Sequence, residues 1–565
     1  MSRSSRQARL LKANNNIGAS QTLPMMSLLA LVIATAIHSP KVSAADTTTK
    51  EQTLEVTAAA GSTNSSQDTD YNVPVTRAAT KLALTARDTP QSVSVITKQR
   101  MQDQKLETLT DVLTNTTGIS QFNSGANRSN FYSRGFMIDN YQIDGVPALI
   151  DSAWNLGDTL SDTAVYDRVE VVRGATGLMT GAGSPAASVN MVHKQADSKT
   201  FQGNLSASYG SWDTQRYVAD LSGPLTESGN VRGRVVAGYQ DGDSWLDHYH
   251  TQKKFLYGTV AADLTDSTTL ILGYDYQETN IQGATWGGLP TFYLDGSKTN
   301  YSRSTNLAPD WAYNNSDSKK VFASLKQTFN NGWELNLSGS HTEATMDSKL
   351  LYIDGYFDKS TGIGVGPYAG YDLLGGTGYN TAKRKEDTAD AYVTGPYELF
   401  GRQHELMAGV TYIRQHDRYV SASTSFTSAD VGDFNDWGNY PEPDWDDQAL
   451  SQDNVIRQKS AYLATRISLT DPLHLILGAR YTQYNANTLT QNMEKNNITP
   501  YAGLVYDIND TYSAYASYTS IFKPQTYRNA QGAYLSPVTG KSYETGIKGD
   551  WMNSRITASL AVFRI

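Results

Sequence analysis

The sequence predicts an antiparallel β-barrel of the bacterial outer-membrane type behind a smaller N-terminal α/β domain, and three features carry that expectation. From Phe201 onward the chain repeats segments of about 10 to 14 residues that alternate in polarity, such as Asn204-Leu205-Ser206-Ala207-Ser208-Tyr209 and Leu475-Ile476-Leu477-Gly478-Ala479-Arg480-Tyr481. Strands with one face in lipid and the other in a polar lumen read this way. Short turns such as Thr265-Asp266-Ser267 and Asn330-Asn331-Gly332 alternate with long connections near 280–316, 345–385 and 414–455, the asymmetry between the two ends of such a barrel. Past the first 45 residues no apolar run reaches the ~20 residues a membrane helix requires, so any crossing must use strands.

The elements follow in order. Residues 1–45 contain no Asp or Glu, open on Arg3, Arg6, Arg9 and Lys12, and continue through a mostly apolar stretch from Pro24 to Ile37 to the small residues Val42-Ser43-Ala44-Ala45. That is the layout of a cleavable secretory signal. Residues 46–80 are rich in Thr, Ser, Asn and Ala, the texture of a flexible leader. Within it Thr53, Leu54, Glu55, Val56 and Thr57 alternate like a short strand that could join the sheet edge of a partner, or like an incidental patch of β-propensity.

Residues 81–199 read as a compact α/β unit, with strands at Gln91–Ile96, Tyr141–Ile143 and Val165–Val172, a helix over Leu106–Leu113, and glycine-rich connections. Residues 200–565 supply about 15 strand-sized segments. Tyr outnumbers Phe 35 to 14, which suits rings at a wet lipid boundary better than a dry core. The chain has no cysteine, so stability must come from a large fold rather than from disulfides. Mean hydropathy of -0.46 and a net charge of -9 fit a barrel with a solvated acidic surface and argue against a nucleic-acid partner.

The motifs are more specific. Tyr132-Ser133-Arg134-Gly135-Phe136 is followed by Gln142-Ile143-Asp144-Gly145, by Val169-Glu170-Val171-Val172-Arg173-Gly174, and by Gly177-Leu178-Met179-Thr180-Gly181-Ala182-Gly183-Ser184-Pro185 with Asn190. The glycine run is no phosphate loop, since no Gly-Lys-Ser/Thr follows it. In this ordered set the chain resembles the TonB-dependent receptors of the Gram-negative outer membrane. Trp154-Asn155-Leu156-Gly157-Asp158, Thr285-Trp286-Gly287-Gly288-Leu289-Pro290, Ala308-Pro309-Asp310-Trp311-Ala312-Tyr313 and Tyr397-Glu398-Leu399-Phe400-Gly401-Arg402-Gln403-His404 look like those of receptors for ferric coprogen and ferric rhodotorulic acid.

The resemblance implies a multi-pass barrel of 22 strands with residues 81–199 as a plug in its lumen, and Thr53–Thr57 as the TonB box that engages TonB and its inner-membrane energising complex. It implies uptake of a ferric hydroxamate siderophore, with outer-membrane lipid and lipopolysaccharide as surroundings. Arg134 and Arg173 resemble plug arginines that pair with barrel glutamates, and Tyr543-Glu544-Thr545-Gly546-Ile547-Lys548 supplies Glu544 as one partner; the same arginines could instead satisfy plug carbonyls. About seven strands are missing relative to that barrel, and Ile565 falls within a strand. These 565 residues alone are therefore expected not to form a working receptor.

A siderophore already surrounds Fe(III) with oxygen donors, so the receptor needs no cofactor and no metal ligands of its own, only an aromatic cup with a few polar donors. The eight His residues form no metal-binding motif. Candidates are Arg128 and Trp154 from the plug and Trp286, Trp311, Tyr379, Asn380, Trp437 and Trp445 from the long connections; any one Trp could instead pack a loop. Ala153 stands where the coprogen-type pattern has arginine, which leaves the siderophore open. No catalytic constellation is legible: Asp444, Asp446 and Asp447 read as a solvated loop cluster. A passive porin remains the alternative, against which the plug motifs argue.

Overall fold

A computed structural model describes residues 71–73, 75–150, 156–366, 374–425, 441–552 and 555–565. The expected signal, the Thr53–Thr57 segment, Trp154 and Trp437 lie outside the described residues.

The N-terminal unit holds two sheets. Strands β1 (Val93–Thr97), β5 (Asn140–Ile143), β6 (Val146–Ala148), β7 (Tyr166–Arg173) and β8 (Ala187–His193) form one in the order β1-β7-β8-β5-β6; β2 (Ile119–Asn123), β3 (Ser129–Ser133) and β4 (Phe136–Met137) form the other. Buried β7 is apolar at Val169, Val171 and Val172, as expected of a strand covered on both faces. The expected helix begins at Leu109, where Thr108 and Asp111 close a capping box, and Leu109, Val112 and Leu113 face the core. A helix the sequence reading did not anticipate, Lys98–Asp103, is started by the Thr97 hydroxyl accepting from the Arg100 N–H; only Met101 of it is buried, too little apolar periodicity to read.

The remaining long strands make one continuous antiparallel sheet. They are β9 (Gln202–Tyr209), β10 (Gln215–Pro224), β11 (Val231–Asp243), β12 (His250–Thr265), β13 (Thr268–Gln282), β14 (Tyr313–Thr328), β15 (Glu334–Asp354), then β18 (Leu374–Leu399), β19 (Arg402–Ser425), β20 (Ala449–Ser468), β21 (Leu473–Asn487), β22 (Asn492–Asp507), β23 (Tyr512–Lys523), β24 (Val538–Trp551) and β25 (Ile556–Arg564). The two-residue strands β16 (Tyr356–Phe357) and β17 (Gly364–Val365) form a hairpin inside the connection after β15. Among the described residues this is a 15-stranded sheet in strict neighbour order, matching the number of segments read from the sequence.

The sheet wraps the N-terminal unit, and side-chain parity separates its two faces. On β18, Arg384, Glu386 and Asp390 are buried and bond residues of the plug, while Lys383, Lys385 and Asp387 face outward. The core is shared across the seam: Val236, Phe255 and Tyr257 of the wall pack with Ile96, Leu109, Phe131 and Val189 of the plug. Among the described residues no helix is long and apolar enough to cross a membrane.

The long connections are shorter than the sequence suggested, because β13 continues to Gln282, β15 to Asp354 and β19 to Ser425. Their outer halves put Lys, Asp, Glu and Arg on the outward face, as in Lys383, Lys385 and Asp387. Hydrophobic alternation stops where lipid stops, but backbone pairing does not, so paired strand reads as loop.

Candidate functional site

Two regions of the seam carry chemistry: the plug apex under the long connections, and the ring of buried charges lower in the lumen.

At the apex, the β2–β3 hairpin inserts its tip against the connection after β13. The Ala126 N–H donates to Thr285 Oγ1 at 2.9 Å, and Arg128 Nη2 donates to Ser124 O at 2.7 Å and Trp286 O at 2.9 Å. Gly125 makes the approach close enough, since a Cβ there would lie 2.6 Å from Thr285 O at a φ of +148° that L side chains rarely adopt. Arg128 Nε has no partner among the described residues, and burial holds the guanidinium below its ordinary pKa. Trp286 stands edge-on to Tyr352 at 5.3 Å. Its ring lies over Gly378, beside the buried Asn380, whose Nδ2 also lacks a partner among the described residues.

The other candidates sit elsewhere. Tyr379 shares the outward face of β18 with Thr381 and Lys383, opposite Lys349 on β15. Trp445 meets Tyr379 at 5.7 Å and Trp311 at 5.8 Å, both edge-on, and its Nε1 donates to Glu442 at 2.9 Å. Lys349 lies over both the Tyr379 and Trp445 rings and pairs with Glu442. The structure therefore brings Arg128, Trp286 and Asn380 together on the lumen side, and Trp311, Tyr379 and Trp445 together on the opposite side of the wall. Strand parity at positions 379 and 380 makes this division, and a sequence reading without register could not see it.

Lower in the lumen, Arg134 pairs with Glu544, which also accepts from Tyr515 Oη at 2.6 Å and Ser92 Oγ at 2.8 Å, and the Arg134 guanidinium lies 4.0 Å from the Phe563 ring centroid. Arg173 instead bonds within the plug, to Ser94 Oγ at 2.9 Å and to Thr117 O, and no described carboxylate lies within ion-pair distance of it. Four more charged groups, unremarked in the sequence, fasten the seam. Lys81 pairs with Asp390 and donates to Tyr462 Oη at 3.1 Å. Lys548 donates to the carbonyls of Ala86 and Gln91, each at 2.7 Å, and of Thr89. Arg480 donates to Met179 O at 3.1 Å, and Arg384 forks onto Asp158 at 2.5 and 2.9 Å. Lys548, Arg480 and Arg384 sit at buried, lumen-facing positions of their strands, a parity that only the register reveals, and Lys81 lies outside any strand, where no sequence signal marked it.

His193, fully buried, bridges plug and wall. Its Nδ1 bonds Asp144 at 2.7 Å and Nε2 bonds Asp275 at 3.4 Å, while Tyr257 and Phe322 stack on it at 5.2 and 5.4 Å. Burial opposes the charge, but the two carboxylates outweigh it and raise the imidazole to about 9.

Comparison with known proteins adds the family. A family model described as TonB-dependent Receptor Plug Domain matches residues 85–188, and one described as TonB dependent receptor-like, beta-barrel matches residues 257–565. The ferripyoverdine receptor of Pseudomonas aeruginosa is 40% identical over 499 residues, which cover 86% of this chain and 59% of that protein. The ferric-pyoverdine 358 receptor of Pseudomonas putida is 39% identical over 514 residues, 88% of this chain and 61% of that one. The crystal structure of the P. aeruginosa outer-membrane ferripyoverdine receptor bound to ferripyoverdine superposes with a TM-score of 0.83 at 38% identity, covering 89% of this chain and 66% of that chain. The chain spans about three fifths of the length of the curated relatives it matches. With a plug enclosed by a strand wall and a family match over more than half its length, the chain belongs to the TonB-dependent receptor family of outer-membrane proteins.

Proposed function

We propose that this chain serves TonB-dependent uptake of a ferric siderophore across the outer membrane, with recognition at the plug apex. The observation that carries the reading is the convergence of Trp286, Tyr352, the buried Asn380 amide and the Arg128 hairpin on the lumen side beneath the long connections. Rings that cover carbon chains, with two polar side chains able to donate to chelate oxygens, suit a ligand whose iron is already coordinated. The similar receptors are named for ferric pyoverdine, so they favour a ligand of that class and do not support the coprogen or rhodotorulic-acid type that the loop motifs suggested. Coupling would run from TonB through the leader segment to the plug, whose release requires that ligand bind one plug state more tightly than the other.

Tryptophan fluorescence quenching on the purified protein tests this reading. Ferric pyoverdine is expected to quench saturably and ferric coprogen at least tenfold more weakly. Asn380→Leu and Trp286→Leu should each weaken binding about tenfold, the equivalent of ~1.4 kcal/mol. Saturable binding that both variants leave unchanged would remove the apex as the site. Iron uptake that persists in cells lacking TonB would remove the coupling.

A further inference from the structure

The buried arginines follow one rule with one exception. Among the described residues Arg168, Arg216, Arg232, Arg234 and Arg384 are buried, and each meets a carboxylate. Arg480 of β21 is buried at least as completely, yet no described carboxylate lies within ion-pair distance of it. Its Nη1 donates to Met179 O at 3.1 Å and Leu178 O at 3.4 Å, whereas Nε and Nη2 have no partner among the described residues. Those two nitrogens make up one edge of the planar guanidinium, the edge that forks onto an anion in a bidentate contact.

Arg480 Nε lies against the glycine-rich run of the plug. A Cβ on Gly181 would stand 3.5 Å from that nitrogen, 3.4 Å from Thr482 Oγ1 and 3.0 Å from Gln458 Oε1, so the three side chains surround one point of the run. Gln458 of β20 brings a further unmet donor: its Oε1 accepts from the Ala182 N–H at 3.5 Å, while Nε2 has no partner among the described residues. The local charge has the matching sign. The Arg480 guanidinium lies 5.2 Å from the Tyr462 ring centroid, and Tyr462 Oη touches both Lys81 and Asp390. Asp390 already accepts from Lys81, from Tyr462 Oη at 2.9 Å and from Thr411 Oγ1 at 2.7 Å. Two cations thus share one fully engaged carboxylate, and burial makes the surplus positive charge costly.

We propose that this part of the seam holds a single halide ion, chloride in the cell, on the Nε–Nη2 edge of Arg480 with the Gln458 amide as its third donor. Charge selects an anion over water, which would satisfy the donors and leave the cation unbalanced. Enclosure selects a monatomic anion. Arg480, Gln458 and Thr482 are 2%, 1% and 0% exposed, so a carboxylate or phosphate would bury its remaining oxygens without donors. The ion completes the docking of residues 177–183, which Arg480 otherwise holds only through the carbonyls of Leu178 and Met179. The hold of the wall on this run then depends on the anion in the medium.

The test uses the protein purified from outer membranes. Crystals grown with bromide in place of chloride are expected to show an anomalous difference peak at hydrogen-bond distance from Arg480 Nε and Nη2 and Gln458 Nε2. Arg480→Met should abolish the peak, and Gln458→Leu, which removes no charge and keeps the fork, should lower its occupancy. In solution, exchange of the 177–183 amides should be roughly tenfold slower in chloride than in gluconate at equal ionic strength, as mass action on a bound ion requires. Arg480→Met should make the two salts equivalent, and the β7 amides of the unaltered protein should not distinguish them. Electron density at the fork without anomalous signal identifies water and overturns the proposal. So does a bromide peak that survives in Arg480→Met, or equal exchange of the 177–183 amides in both salts by the unaltered protein. Should Arg480→Met fail to dock its plug, an unchanged bromide occupancy in Gln458→Leu still counts against the site.

Discussion

Arg134 and Glu544 are each almost fully buried, so neither can lose its partner cheaply. Arg134→Met strands a carboxylate that Tyr515 and Ser92 alone must satisfy, and is expected to cost about 3–5 kcal/mol of plug docking. The double variant with Glu544→Met should recover most of it, because two apolar side chains remove both desolvation penalties. Denaturant unfolding followed by hydrogen exchange in β3 and β4 reads the difference; a double variant as damaged as the single one would show that the pair acts in some other way. Both residues were legible in the sequence because glycine-flanked motifs surround them. Lys548 and Arg480 were not, since their meaning depends on which face of a strand they occupy. His193 makes a second prediction. Its imidazole is raised to about 9 against an ordinary value of ~6.5, so its contribution to docking is complete below pH ~6.5 and is lost as pH rises through about 9. Asp144 and Asp275 face it directly, with Lys320 near Asp144 and the Tyr166 and Tyr257 rings against it. Exchange of the β8 amides should accelerate between pH 7 and 9.5 after correction for intrinsic exchange, and His193→Gln should flatten that profile.

At the scale of elements, barrel and plug were legible because period-2 alternation survives wherever lipid or lumen enforces it. What failed were the outer ends of β13, β15 and β19, where lipid no longer enforces alternation: on β15 the adjacent Leu350 and Leu351 are both buried, in different clusters, so the period of two is lost while pairing continues the strand. The glycine-rich run was recognisable as a motif, but its task needed coordinates. The short helix Gly177–Thr180 lies flat on the wall, where a Cβ on Gly177 would come within 2.5 Å of Ser520 O and 3.0 Å of Ile521 Cα. Two backbone atoms leave no flexible neighbour to give way. Gly177→Val is therefore expected to lift this helix off β22 and β23, free the carbonyls that Arg480 holds, and speed exchange of the 177–183 amides at least tenfold. The β1-β7-β8 sheet, fastened elsewhere, should keep its protection. Equal loss in both regions would mean that the helix and the plug core release as one unit.

Across the whole molecule, residues 76–92 form a strap laced to the wall strand after strand. Arg77 meets Glu334 of β15 at 3.1 Å, and Lys81 holds Asp390 of β18 and Tyr462 of β20. Arg87 faces Asp507 of β22 at 3.6 Å, Lys548 of β24 gathers the carbonyls of Ala86, Thr89 and Gln91, and Ser92 bonds Glu544 of the same strand. Order along the chain follows order around the wall. A pull on the leader, the direction that the proposed coupling to TonB implies, would thus load these bonds one at a time. Each charge-assisted bond is worth about 1.5–3 kcal/mol, so sequential peeling meets several small barriers where simultaneous rupture would meet their sum. Force spectroscopy with the tether at Tyr71 should show a series of low ruptures before the plug core yields. Lys81→Met should delete an early event and leave the later ones in place, since Arg87 and Ser92 are anchored independently. Attaching the tether at Lys199 instead loads the plug from its other end and should give fewer, higher ruptures. A single rupture of the same height from both ends would mean that the strap and the plug core form one cooperative unit, with no preferred direction of release.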